Sequence, residues 1–173
     1  MQAWHQVLAL GAPLPTLPFW LKNGPCIRLD LDAALEGIEA DRGRVRQIFN
    51  NLLTNALEAL EGTAEPLVEI ATHFEVTPEA AYAEVTVCDN GPGFQRELLG
   101  RVFDPYVTSK PKGTGLGLAI VKKIVEEHGG RIDADNRPQG GARVRVVLPV
   151  KDSTRSAAGG TRERRDQLRR ERA

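Results

Sequence analysis

The sequence predicts an α+β domain: a mixed sheet with helices packed on one face. Three observations lead there. Segments of period two and period 3.6 follow one another as strand, helix, two strands, loop, helix, two strands. Two long helices accompany five strands in that order, which suits a mixed sheet. At 173 residues and 41% hydrophobic, the chain can bury one core of ordinary size.

The elements follow in order. Residues 1–25 carry prolines at 13, 15, 18 and 25 around Trp4 and Trp20. They are expected to form a helical remnant and a linker, with Trp20 tucked onto the body. "CIRLDLD" alternates apolar and polar from Cys26 to Asp32, a half-buried strand. Asp41 offers an N-cap for a helix to about Glu61, closed by Gly62. Val45, Ile48, Leu52, Ala56 and Ala59 step by three or four along it and form one face. "PLVEIATHFEV" and "YAEVTVCD" read as two strands joined by a turn around Pro78. A glycine-rich corner at 89–93 leads to a short helix near Gln95 to Val102, and Phe103 to Thr114 lacks periodicity. A second long helix runs from about Leu116 to His128 and stops at Gly129-Gly130. "RIDADNR" and "ARVRVVLP", separated by "PQGG", form a last hairpin. The domain is thus expected over 26–150, followed by a basic, disordered tail over 151–173.

Charge and cysteine content narrow the function classes. Formal net charge is zero, so no global field favours nucleic acid or an anionic membrane. From Lys151 onward eight basic residues face four acidic ones; the totals of 23 each leave 15 basic and 19 acidic residues for the body. Cys26 and Cys88 stand apart with no CxxC pair, which argues against zinc and for reduced, buried thiols in a cytoplasmic setting. The N-terminus lacks the features of a signal peptide, and no apolar run approaches the roughly eighteen residues of a membrane span.

Three segments could carry chemistry. In "RQIFNNLLTNALEAL", Asn51, Asn55 and Glu58 lie at i, i+4 and i+7 and share a stripe bordering the apolar face. Asparagine is a mediocre helix former, so its recurrence asks for a reason. The amides either cap neighbouring loops or form a row of neutral oxygen ligands suited to a magnesium ion already bound to phosphates. "VTVCDNGPGF" ends a strand on an acid beside glycines, where a carboxylate can accept from an exocyclic amine such as adenine's. "KPKGTGLGL" opens a helix whose first N–H groups, Gly115 to Leu118, are free to face an anion, with Lys110 and Lys112 adding charge. It matches neither a dinucleotide fingerprint nor a Walker A loop. A flexible loop leading into a helix remains the alternative.

The three segments in this order resemble the ATP-binding domain shared by sensor histidine kinases, DNA gyrase B, MutL and the heat-shock ATPase chaperones. "NNLLTNALEAL" looks like that family's N box, "DNGPGF" its first glycine box, "RVFDPYVTSK" its F box and "GTGLGLAIVKKIVEEHGG" its second glycine box. The F box and the second glycine box point to histidine kinases, most of all to their nitrogen-regulation group. The resemblance covers about 26–150 and implies a Bergerat-type two-layer α/β sandwich that binds ATP and Mg²⁺. It places the metal on Asn55, with Asn51 near the phosphates. It has Asp89 bonding the adenine amine, with Gly91 and Gly93 making room for the ring. Lys110 would reach the phosphates. Gly113, Thr114, Gly115, Leu116, Gly117 and Leu118 would form a mobile lid rather than a preformed cradle.

Such a domain donates the γ-phosphoryl group of ATP to a histidine on a dimerisation domain, from which a response regulator takes it. The parent kinase can be membrane-anchored. Three departures stand out. Many relatives carry a basic residue where this chain has Glu58, and a threonine where it has Ala142. No phosphoacceptor box exists: His5, His73 and His128 each read as structural, so the chain is expected to be an excised catalytic domain supplying no nucleophile. Asn51 stands where hydrolytic relatives carry a glutamate, and an amide cannot activate water, so ATP hydrolysis is expected to be very slow. Two other functions share these residues, an anti-sigma-type serine kinase and an interaction module whose nucleotide site has decayed.

Overall fold

The computed structural model describes residues 25–150 apart from 36, 37, 39, 79, 111 and 112. The expected helical remnant, the position of Trp20, the basic tail and Lys112 lie outside the described residues. Strand β1 (Cys26–Asp30) precedes helix α1 (Arg42–Ala59), strands β2 (Leu67–Val76) and β3 (Ala81–Asp89), helix α2 (Gly117–Glu127), and strands β4 (Arg131–Asn136) and β5 (Ala142–Val150). The five strands form one sheet in the order β1-β2-β3-β5-β4. β1 runs parallel to β2 and every other pair is antiparallel. The sheet is mixed because α1 provides the crossover that the parallel β1–β2 pair needs, short turns join β2 to β3 and β4 to β5, and the connection through α2 carries the chain from β3 past β5 to β4.

A side-chain cap starts α1, and a glycine lies just beyond the end of each long helix. The Asp41 carboxylate accepts the Arg44 N–H at 2.9 Å and caps α1. Gly62, at φ 81°, and Gly129, at φ 70°, take the left-handed conformation just beyond the two helices. Val45, Ile48, Phe49, Leu52 and Ala56 of α1 are buried, as are Val121, Ile124 and Val125 of α2. On one face of the sheet Val45 and Phe49 pack against Val85, and the others pack over Val68, Ile70, Val87, Val144, Val146 and Leu148. Strict alternation on β3 buries Ala81, Ala83, Val85, Val87 and finally Asp89 on that face. The opposite face is polar. Arg28, Glu69, Cys88, Arg143 and Asp135 form a row across all five strands, with Arg28 paired to Glu69 at 2.7 Å and Arg143 to Asp135.

Three expectations are corrected. The strand over 26–30 exists, but it is exposed rather than half-buried. Its Ile27 and Leu29 lie opposite the core residues Val68 and Ile70, yet stay 42% and 47% exposed, because β1 is an edge and neither helix packs on it to any extent. The thiols are not buried: Cys26 is exposed with its strand, and alternation turns Cys88 to the open face, half-buried. Partial burial there pushes the Cys88 thiol up from its ordinary pKa. The helix expected near 95–102 contracts to a 3₁₀ turn over Leu99–Arg101. Its bonds all span three residues, as from Leu98 N to Gln95 O and Arg101 N to Leu98 O. With Gly100 inside so short a segment, too few α-helical bonds could form to offset nucleation.

Candidate functional site

β3 delivers a carboxylate to a place where its pattern calls for an apolar side chain. Asp89 closes the alternating run on the helix-facing side and is only 5% exposed. A buried carboxylate needs donors, and two backbone groups supply them. The N–H of Gly91 donates to its Oδ1 at 2.9 Å and the N–H of Ala142 at 3.2 Å. Both bonds fall on one oxygen, so Oδ2 has no protein partner among the described residues. The second bond requires the β4–β5 turn to press on the strand end, and Gly141 makes that possible. It adopts φ 91°, and a Cβ there would overlap the Asp89 carbonyl.

α1 presents the asparagines to the same space. Asn51 Nδ2 donates to Gln47 O at 2.9 Å, one turn back on its own helix, and the Asn55 amide meets no side-chain hydrogen-bond partner among the described residues. Neither amide caps a loop. Instead they face the start of α2: a Cβ built on Gly117 would lie 3.5 Å from Asn51 Oδ1 and 3.6 Å from the Asn55 amide. No side chain caps α2, so the N–H groups of its first turn lack intrahelical acceptors. Those bare donors and the positive end of the helix dipole point where the asparagines do. The Lys110 ammonium reaches across from the loop to Glu58 Oε2 at 2.5 Å, and lies 3.5 Å from Asn55 O.

These groups enclose one cavity of about 510 Å³, within the range of small-molecule sites. Asn51, Asn55, Asp89, Gly93, Lys110, Gly113, Thr114, Gly115, Leu116, Gly117 and Leu118 all line it. Gly91 does not; a Cβ at that position would press on Ala59 O at the end of α1, so its bareness serves close packing there. Gly115 likewise has a structural duty. It sits at φ 67°, accepts the Tyr106 N–H through its carbonyl at 3.0 Å, and has no room for a Cβ against the Tyr106 backbone. Tyr106 itself takes φ 66° and is 78% exposed.

Several residues of the site were not anticipated. Leu52, Ala56, Val87, Val102, Ile120 and Val144 give the cavity an apolar floor suited to a flat ring. Asn136, at the end of β4, accepts the Phe94 N–H at 2.7 Å and returns its own amide to Phe94 O at 2.8 Å. It holds the Gly93–Phe94 corner as a second strand would. Asn90 does the same for the start of β2, accepting from Leu67 N at 2.8 Å and donating to Glu65 O at 2.8 Å. No spacing rule connects partners so distant in sequence. Ala142, noted for its missing hydroxyl, lines the cavity as well.

A two-layer α/β fold with a nucleotide-sized cavity between helices and strand ends defines a class, and comparison with known proteins names it. Residues 40–152 match the family described as histidine kinase-, DNA gyrase B-, and HSP90-like ATPase. An NtrY-like sensor histidine kinase of Rickettsia bellii is 42% identical over 112 residues, which is 65% of this chain and 18% of that protein. Nitrogen regulation protein NtrY of Azorhizobium caulinodans is 43% identical over 111 residues, 62% of this chain and 14% of that protein. Among solved structures, the catalytic domain of histidine kinase ThkA superposes with a TM-score of 0.63 at 34% identity, covering 73% of this chain and 81% of that one. The chain belongs to the histidine kinase-like ATPase family as a catalytic ATP-binding domain, and its likeness is to the NtrY-like sensor kinases. It spans under a fifth of the length of those relatives. No helix among the described residues is long and apolar enough to cross a membrane.

Proposed function

We propose that this domain binds ATP with Mg²⁺ and passes the γ-phosphoryl group to a histidine on a separate dimerisation domain, which then serves a response regulator. One observation carries the nucleotide reading: Asp89, a nearly buried carboxylate, keeps Oδ2 without a protein partner at the wall of a cavity floored by apolar side chains. That oxygen accepts from the adenine amine while the floor stacks beneath the ring. The triphosphate then runs toward Asn51, Asn55 and the uncapped start of α2. The first-turn N–H groups and Lys110 hold its charge.

The donor set fits magnesium delivered with the nucleotide rather than a resident ion. No group of three His, Cys, Asp or Glu side chains gathers among the described residues. The Asn55 amide is a hard neutral oxygen that adds one ligand to those supplied by phosphates and water. Bound there, the ion neutralises charge on the β- and γ-phosphates. The chain's own task is positioning. An imidazole nitrogen from the partner domain forms the new N–P bond as the bond to the β-phosphate oxygen breaks, and ADP leaves with that electron pair. Asn51 cannot take a proton from water, so transfer to histidine is favoured over hydrolysis.

Calorimetry with a non-hydrolysable ATP analogue tests the reading. Wild type binds with magnesium present, and Asp89→Asn weakens binding about tenfold or more, because its amide opposes a donor with a donor. The Asn variant keeps an acceptor for Gly91 and Ala142, so the fold survives. Equal affinity for both proteins would sink the adenine role of Asp89.

A further inference from the structure

The contact between Lys110 and Glu58 is the only ion pair among the described residues with both partners lining the cavity. Glu58 sits one turn beyond Asn55 on the stripe that faces the phosphate side. A lone carboxylate there repels a triphosphate. Its partner is the same lysine whose charge the triphosphate would use. Both side chains stay partly in water, 37% exposed for Lys110 and 45% for Glu58, so the pair is weak enough to break. Lys110 Nζ also lies 3.5 Å from Asn55 O, at the level of the asparagine row. The ammonium is therefore already parked near its working position, held by an anion of the protein's own.

We propose that Glu58 stands in for the nucleotide phosphates: it holds Lys110 at the cavity wall in the empty domain and yields it to the triphosphate on binding. The inference rests on the ATP reading above and adds a residue that sets affinity. Each binding event exchanges a carboxylate–ammonium pair for a phosphate–ammonium pair. Glu58 thereby lowers affinity while keeping the lysine in place. Removing the carboxylate frees Lys110 and strengthens nucleotide binding, the opposite of what deleting a phosphate ligand does.

A double-mutant cycle read by calorimetry, with a non-hydrolysable ATP analogue and magnesium, isolates the exchange. Glu58→Gln binds about two- to fivefold more tightly than wild type, the range spanned by an exposed ion pair. In the Lys110→Met background the gain from Glu58→Gln is smaller, because only simple repulsion is then relieved. An equal or larger gain without Lys110 overturns the exchange, since repulsion alone would account for it. So does unchanged or weaker binding by Glu58→Gln. If wild type fails to bind the analogue at all, the nucleotide reading falls and this inference with it. Binding with equal gains in both backgrounds removes this inference alone. Thermal melting of all four proteins separates these effects from loss of fold.

Discussion

The Asp89 carbonyl and Gly141 are in contact so close that position 141 admits no side chain. Gly141 at φ 91° lets the β4–β5 turn reach the end of β3, where the next residue, Ala142, donates its N–H to the Asp89 carboxylate. One glycine therefore sets the geometry of the residue read as the adenine acceptor. Gly141→Ala combines a left-handed alanine with overlap against backbone. It is expected to cost about 2 kcal/mol or more of stability, read by urea unfolding. A loss below about 0.5 kcal/mol would show that the turn can move away from β3 cheaply.

Asn136 supports the neighbouring corner from a distance of 42 residues. Its side chain satisfies both the N–H and the carbonyl of Phe94. Asn136→Ala removes two bonds and leaves a partly buried donor unmet, a loss of about 1–3 kcal/mol. Asn136→Asp keeps an acceptor for Phe94 N but presents a charge to Phe94 O, so it recovers only part of the stability. Recovery in full by aspartate would mean that the bond to Phe94 O contributes nothing.

Asn55 is the residue proposed to hold the metal. Asn55→Ala is expected to remove the difference between analogue affinities measured with magnesium and with excess chelator. The weaker magnesium-free affinity should change by no more than about twofold. Calorimetry in both conditions reads this. A magnesium effect that survives in Asn55→Ala would assign the ion to other ligands.

Asp32 is expected to make stability depend on acid pH. It accepts the Phe74 N–H at 2.8 Å and the Ala34 N–H at 2.9 Å, and lies 3.4 Å from His73 Nδ1. Those donors, the Phe74 N–H foremost, hold its carboxyl below the usual range. A carboxyl depressed by folding stabilises the native state above its unfolded pKa, and that contribution is lost as pH falls through the folded value. Wild type is therefore expected to lose stability as pH drops below the ordinary carboxylate range. Asp32→Asn should show a shallower acid limb, though not a flat one, because Asp41 and Asp135 are depressed as well. Urea unfolding from about pH 5 to pH 2 gives the slopes, and equal slopes would exclude Asp32 as a contributor.

The fold was legible where local chemistry decides it. The Asp41 cap, the glycines at 62 and 129, the 3.6-residue face of α1 and the strand-like run "YAEVTVCD" each predicted an element that the structure contains. Where expectation failed, a distant neighbour decided in one case and segment length in another. "CIRLDLD" carries the alternation of a half-covered strand, but only the sheet order places it at an edge without a helix above. The segment from Gln95 to Val102 has helical composition but lacks the length to hold α-helical bonds.

The sequence by itself determined which residue types were available to a site: a carboxylate ending a strand, two amides a turn apart, and bare N–H groups opening a helix. Those follow from periodicities of two and 3.6 and from the chemistry of caps, which act over a few residues. Only the tertiary structure decided that they meet around one cavity, because sheet order and helix packing bring together segments from Asn51 to Val144. It also decided the supports. The Gly141 approach to Asp89, the Asn136 clamp on Phe94 and the hold of Glu58 on Lys110 join residues 42 or more positions apart. No short-range rule reaches that far.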